Sequence, residues 1–230
     1  MIKDFNLIKY KDLHNGPRPR LIPVLLLKHG IIVRSQLFKI HQVIGNPMST
    51  IKRYSDWNAD EIIVLDISSG DDIHDLRRDD LQQSYEGNKS IDVLKEVSKI
   101  CTVPLTFGGR IKSLIDIEIR LKLGADKVVI NSAASSKKDL IHKAANRFGS
   151  QCIVAGIDVM RNNSDWDIYI NGGKTKIKGD VADWAKELEN MGAGEIFLNS
   201  IDRDGSAKGF DIKLIKYVTS NVKIPVIACG

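Results

Sequence analysis

The sequence predicts an α/β protein of the (β/α)8 barrel type, and three observations carry that prediction. First, the segment Asn58–Ile67 recurs in outline as Gly192–Ile201, and Val103–Gly109 is echoed by Ile224–Gly230. Each half therefore reads as strand, helix, then a strand ending in glycine, the signature of a duplicated half-barrel. Second, short runs apolar at consecutive positions alternate with helix-period segments, as expected of parallel strands buried on both faces. Third, Asp and Gly gather where those strands end, which is where barrels place their chemistry.

The elements follow in chain order. Residues 1–19 read as an N-terminal arm, because Asn15-Gly16-Pro17-Arg18-Pro19 is turn chemistry with no periodic apolar partner. The barrel-type domain occupies residues 20–230. Its first strand falls on Leu21–Leu27, and Asn46-Pro47 offers a cap and first-turn proline to the helix that follows. The second strand is Ile62–Ile67. Residues 68–89 are long and strongly charged, as suits a loop above the second strand. Ser90 then opens a helix at Ile91-Asp92-Val93-Leu94, and Val103–Phe107 is the third strand. Ser113 with Asp116 resembles a capping box. Val128–Ile130 and Cys152–Ile157 make the fourth and fifth strands, and Trp166–Lys174 reads as a small inserted hairpin. Ile196–Leu198 and Ile224–Cys229 complete seven strands, alternating with about six helices. Gly230 ends the seventh, so the expectation is a barrel truncated after strand 7, lacking the eighth. Its first and seventh strands would then keep unpaired edges.

A chain of 230 residues, 43% apolar, suffices for one well-buried domain. No 20-residue apolar span predicts a membrane crossing, and the start lacks the apolar core of a secretory signal. Cys101, Cys152 and Cys229 are too far apart in sequence for a metal-ligand pattern and sit in or beside apolar runs. They read as free thiols in a reducing cytoplasm. Of the net charge of +5, residues 1–20 carry +3, from Lys3, Lys9, Lys11, Arg18 and Arg20 against Asp4 and Asp12. No helix carries a basic stripe, so nucleic acid is not the expected partner and a phosphate-bearing small molecule is. Nothing points to a metal or organic cofactor.

The strand ends nominate the site. Gly108 and Gly109 offer backbone N–H groups that an anion can approach closely, and Asn131 and Ser132 end the neighbouring strand. Asp204 and Gly205, within Asp202–Ser206, would be half of a second anion site. Asp66, Asp158 and Asp204 are candidate proton handlers, because a carboxylate among apolar strand residues is partly desolvated and its pKa rises.

Long stretches resemble one family. Gly124–Ala134, Arg147–Val154, and Gly192–Ile196 with Asp202–Gly205 are similar to the cyclase subunit of imidazole glycerol phosphate synthase, over about residues 20–230. The resemblance implies a barrel bound at its lower face to a glutaminase subunit. It implies that ammonia passes through the barrel to a bisphosphorylated ribosyl-ribulosyl substrate at the top. It also implies two proton-handling aspartates at the ends of strands 1 and 5. The strand-5 residue is present as Asp158, whereas the strand-1 position holds Leu26, and Arg110 replaces a third glycine usual in the family. Loss of a general acid or base removes on the order of 10²–10⁴ in rate. The family's inlet gate matches in full as Arg20, Glu61, Lys127 and Glu195, and Asp126 matches a residue at the glutaminase interface.

The stretch Arg20–Lys28 looks like a branch of the family associated with amidation of surface-polysaccharide sugars, where barrel and glutaminase supply ammonia to a separate sugar amidotransferase. Three functions are therefore carried forward. The first is an ammonia-receiving cyclase-like subunit serving amidation of an acetamido sugar. The second is a true histidine-pathway cyclase that tolerates Leu26. The third is an inactive truncated barrel.

Overall fold

A computed structural model describes residues 19–68, 89–137 and 139–230. The predicted arm, apart from Pro19, and all but the ends of the charged loop predicted over 68–89 lie outside the described residues.

Seven parallel strands form the frame: β1 (Val24–Lys28), β4 (Ile62–Asp66), β5 (Leu105–Gly108), β6 (Lys127–Ile130), β7 (Ile153–Asn162), β10 (Glu195–Ser200) and β11 (Val226–Cys229). They lie in the order β11-β10-β7-β6-β5-β4-β1, each bonded in parallel to its neighbour. The result is a curled parallel sheet of the (β/α)8 type with helices on its outer face.

Strand parity divides the core. Leu25, Leu27, Ile62, Val64, Leu105 and Phe107 pack outward against helices α1 (Pro47–Asp56) and α2 (Lys89–Val97). The alternate residues Val24, Ile63, Leu65, Val129, Val154, Phe197 and Ile227 meet one another on the concave side. The apolar runs legible in the sequence are thus buried on both faces, as parallel sheets require.

The helix starts follow their local chemistry. Asn46 caps α1 through its Oδ1, which accepts from Met48 N at 2.8 Å, with Pro47 in the first turn. Helix α3 (Leu114–Lys122) begins on Ser113, whose Oγ accepts from Asp116 N at 3.3 Å. The return bond of the predicted capping box differs: Asp116 Oδ2 accepts from Lys112 N at 2.9 Å and Ser113 Oγ at 2.8 Å.

Two antiparallel additions modify the frame. The fifth predicted strand, read as Cys152–Ile157, runs on to Asn162 and pairs with β8 (Asp165–Ile170), which pairs with β9 (Thr175–Ile177). The predicted hairpin at Trp166–Lys174 is therefore the distal part of a three-stranded extension. The second addition, β2 (Ile31–Gln36) with β3 (Ile40–Gly45), extends the sheet beyond β1 and has no counterpart in the sequence reading. Among the described residues the sheet runs from β11 at one edge to β3 at the other.

Candidate functional site

Two polar clusters occupy opposite ends of the concave face, with an apolar layer between them. At the lower end, where strands begin, Glu61 and Glu195 meet Arg20 and Lys127. Arg20 bonds Glu61 at 2.9 Å and Glu195 at 2.7 Å, and Lys127 bonds the same two carboxylates at 2.8 and 2.9 Å. Cation and anion alternate around a closed four-membered ring. Glu61 is 1% exposed, and its second oxygen accepts from the buried Thr106 hydroxyl at 2.5 Å. Three donors, Arg20, Lys127 and Thr106, meet this carboxylate and offset the cost of burying it. All four predicted gate residues are thus brought together, and Thr106 joins them as a fifth member that the sequence reading missed. Asp126 lies at the same end, exposed, with Oδ2 pinned by Leu105 N at 2.8 Å.

Above the ring stand Ile63, Val129, Val154, Phe197 and Ile227, lining the interior without a hydrogen-bonding group. A neutral small molecule crosses such a layer far more readily than a charged one, because ions lose hydration there without repayment.

At the upper end Asp158 is 8% exposed, and its Oδ2 accepts from Asn131 Nδ2 at 2.7 Å. Burial pushes its pKa up to about 7 against the opposing hydrogen bonds of Asn131 and Asn199, and the nearby Asp204 charge adds to the rise. An acid with that pKa releases and takes back a proton near neutrality. Asn199, opposite Asp158 in the β7–β10 register, was absent from the sequence reading. Leu26 occupies the same inward parity on β1 as Val24, so β1 presents an isobutyl group to the concave face there. Cys229 also faces this end, and burial lifts its thiol pKa to about 11, so it stays protonated.

The remaining predicted residues divide. Gly108 ends β5 beside this cluster and Gly109 follows it. Gly109 takes φ 93°, and a Cβ there would sit 2.1 Å from Asp66 O, so only glycine lets the turn lie on β4. Ser132 opens α4 (Ser132–Ser136), and its Oγ accepts from Asn171 N at 2.9 Å, tying down the β8–β9 turn. Asp204 Oδ2 accepts from Ser35 Oγ at 2.6 Å and Phe38 N at 3.1 Å, and Gly205 packs on Ser35 O. This carboxylate therefore anchors the β2–β3 hairpin over the upper end. Asp66 is not brought to Asp158. It shares the outward parity of Ile62 and Val64, accepts from Ser68 N at 3.0 Å, and its charge acts on Arg120 of α3.

The repeat itself held the signal for these differences. Aligning Glu61 with Glu195, both inward, places Leu65 with Asn199 on the inward parity and Asp66 with Ser200 on the other.

Comparison with known proteins agrees with this arrangement. A family model described as histidine biosynthesis protein matches residues 20–230. The chain is 43% identical over 213 residues to the imidazole glycerol phosphate synthase subunit HisF of Hydrogenobaculum sp. strain Y04AAS1, covering 92% of this chain and 79% of that one. It is 41% identical over 212 residues to the protein of the same name in Flavobacterium psychrophilum, and 40% identical over 213 residues to that of Bacillus cereus strain G9842, with the same coverage.

Proposed function

The chain belongs to the histidine biosynthesis protein family, and from that premise we propose that it is a HisF-like subunit that receives ammonia from a glutaminase partner, in the service of amidating an acetamido sugar. The observation that carries this reading is a contrast between the two ends of one barrel. The lower ring keeps all four charges in mutual contact. The upper end keeps Asp158 but presents Leu26 where the family's strand-1 aspartate would stand.

In this reading glutamine is hydrolysed by the partner docked on the lower face, around Asp126. Ammonia enters as the ring parts, since each carboxylate can hold one cation while releasing the other. It then crosses the layer of Ile63, Val129, Val154 and Phe197 in neutral form. At the top, Gly108, Gly109, Asn131 and Ser132 would hold one phosphate of a small ligand, with Asp204 and Gly205 beside a second. Asp158 can accept or give a proton there. An acid–base step that needs two groups has only this one, so the amidation itself falls to a separate sugar amidotransferase. The barrel then acts as a conduit.

A second reading is favoured by the 40–43% identity to proteins named imidazole glycerol phosphate synthase subunit HisF: a working cyclase in which Asp158 suffices. An inactive barrel is disfavoured by the closed ring and the paired Asp158, neither of which a remnant needs to maintain.

The test is made with the glutaminase subunit from the same source. The proposal expects a stable complex, glutamine turnover raised on mixing, and loss of that rise in Glu61→Gln. No complex, or a rise indifferent to Glu61→Gln and Lys127→Met, would overturn it.

A further inference from the structure

Behind the Gly108–Gly109 turn, outside the barrel, lies a cavity of about 200 Å³ between α2 and α3. Ser90 and Ile91 form one wall and Asp116 and Arg120 the other, while Arg110 and Lys112 reach in from the connecting loop. Three cations thus face a single carboxylate on the cavity wall. That carboxylate, Asp116, is already engaged by Lys112 N and Ser113 Oγ.

Arg120 is the informative member. It is 4% exposed, and two of its nitrogens are used: Nη1 donates to Asp116 O and Nη2 to Gly109 O, both at 2.9 Å. Its Nε is buried with no acceptor, and Asp66 Oδ2, whose charge acts on this guanidinium, is buried with no donor. A buried, charged donor left unpaired costs far more than an exposed one. Burial lowers the pKa of the guanidinium, the opposite of what a satisfied pair would do, although Asp116 and Asp66 offset part of that. Arg110 points the same way. It holds φ 55°, a left-handed conformation that glycine adopts freely and arginine does not. The long cation is kept at a position where its backbone is disfavoured. Lys112 also borders an adjoining cavity with Lys137, Lys143 and Asp139, where Asp139 pairs with Lys143 and leaves Lys112 and Lys137 to carry the positive field along this shoulder.

We propose that this cavity is a second oxyanion site, taking phosphate or the phosphate group of a small metabolite through Arg110 and Lys112, with the buried charge of Arg120 behind them. It is separate from the strand-top site around Asn131, and the proposal does not depend on the function assigned to that site. The planar guanidinium of Arg110 suits a tetrahedral oxyanion with several acceptor oxygens, and a cavity of about 200 Å³ is of a size to hold one. The apolar edge of Ile91 would meet the carbon skeleton of a phosphorylated ligand, where free phosphate leaves it bare.

The experiment is calorimetric titration of the full chain with inorganic phosphate at low ionic strength, repeated on Arg110→Gly, Lys112→Glu and Asn131→Asp. Glycine at φ 55° relieves backbone strain, so Arg110→Gly should melt no lower than the parent. A loss of binding there reports the missing charge and not a damaged fold. The expected result is a phosphate event weakened about tenfold or more in Arg110→Gly and in Lys112→Glu, yet retained in Asn131→Asp. If Asn131→Asp removes a different event, both sites exist; if it removes none, the strand-top reading fails while this one stands. Affinity unchanged within about twofold in both cavity variants, or a single event abolished only by Asn131→Asp, would overturn the proposal. A phosphorylated sugar that binds more tightly than phosphate, and loses that advantage in Ile91→Ser, would identify the metabolite as the ligand; equal affinities would identify free phosphate.

Discussion

Replacing Asp158 with Asn should stabilise this protein above neutral pH while disabling its upper site. The structure supplies the magnitude. Asp158 is almost fully buried, and its pKa stands at about 7 in place of 3.8. Below pH 4 the carboxyl is protonated in both folded and unfolded chains and contributes no difference. As pH rises through 4, the unfolded chain releases a proton that the folded chain retains, so the unfolded state gains and stability falls. The fall continues to about pH 7 and is complete above it. Roughly three pH units at about 1.4 kcal/mol each place the ceiling at about 4 kcal/mol. Asparagine keeps the oxygen that accepts from Asn131 Nδ2 and has no charge to desolvate. Denaturant unfolding of both proteins from pH 4.5 to 8.5 gives the difference directly, since the other titrating groups cancel. The advantage of Asp158→Asn should grow from near zero at about pH 4 to about 2–4 kcal/mol at pH 7 and then level. Parallel stability curves, or a variant less stable at pH 8, would refute the burial argument.

Two further outcomes follow from the same geometry. Glu61→Gln leaves Arg20 and Lys127 to share Glu195 alone and should cost about 3 kcal/mol, the low end for a broken buried pair because Arg20 is partly exposed; chemical unfolding at pH 7 checks it, and a loss below about 1 kcal/mol would show that the ring is not a closed electrostatic unit. Cys229, with its thiol pushed up to about 11 from 9, should alkylate at pH 8 about a hundredfold more slowly than an unperturbed cysteine. Site-resolved mass spectrometry after iodoacetamide treatment measures that rate.

The frame of this fold was legible because buried parallel strands leave an unmistakable trace, and the seven apolar runs coincide with the seven parallel strands. The lower ring was legible through the family resemblance, and the fold brings it to one end because Arg20 and Glu61 lie just before β1 and β4 while Lys127 and Glu195 open β6 and β10. The β2–β3 hairpin was not legible. Its turn places Leu37 and Phe38 at φ 54° and 58°, with neither glycine nor asparagine to announce it. Distant bonds replace turn chemistry there: Leu37 N donates to Asp204 O and Phe38 N to Asp204 Oδ2. No local pattern encodes a turn held by a residue more than 160 positions away. The direction of Asp66 was not legible, because an acidic residue at a strand end looks the same in sequence whichever way it points, and strand parity sets its charge against Arg120. Asn199 was overlooked for the converse reason, an amide among apolar residues whose value appears once β7 and β10 are in register. Beyond the four charged residues, the lower ring includes Thr106, which reads as an ordinary strand residue until its hydroxyl is seen to donate to Glu61.

We propose that the barrel top carries one proton-handling group, Asp158, where the family resemblance implies two. Turnover of the ribulosyl aminoimidazole substrate with ammonium salt tests it most directly, in the wild-type chain and in Leu26→Asp. The account predicts wild-type cyclisation at least about a hundredfold below that of Leu26→Asp. Wild-type turnover equal to that of the variant, at rates ordinary for an enzyme, would show that Asp158 alone suffices and that the chain is a working cyclase.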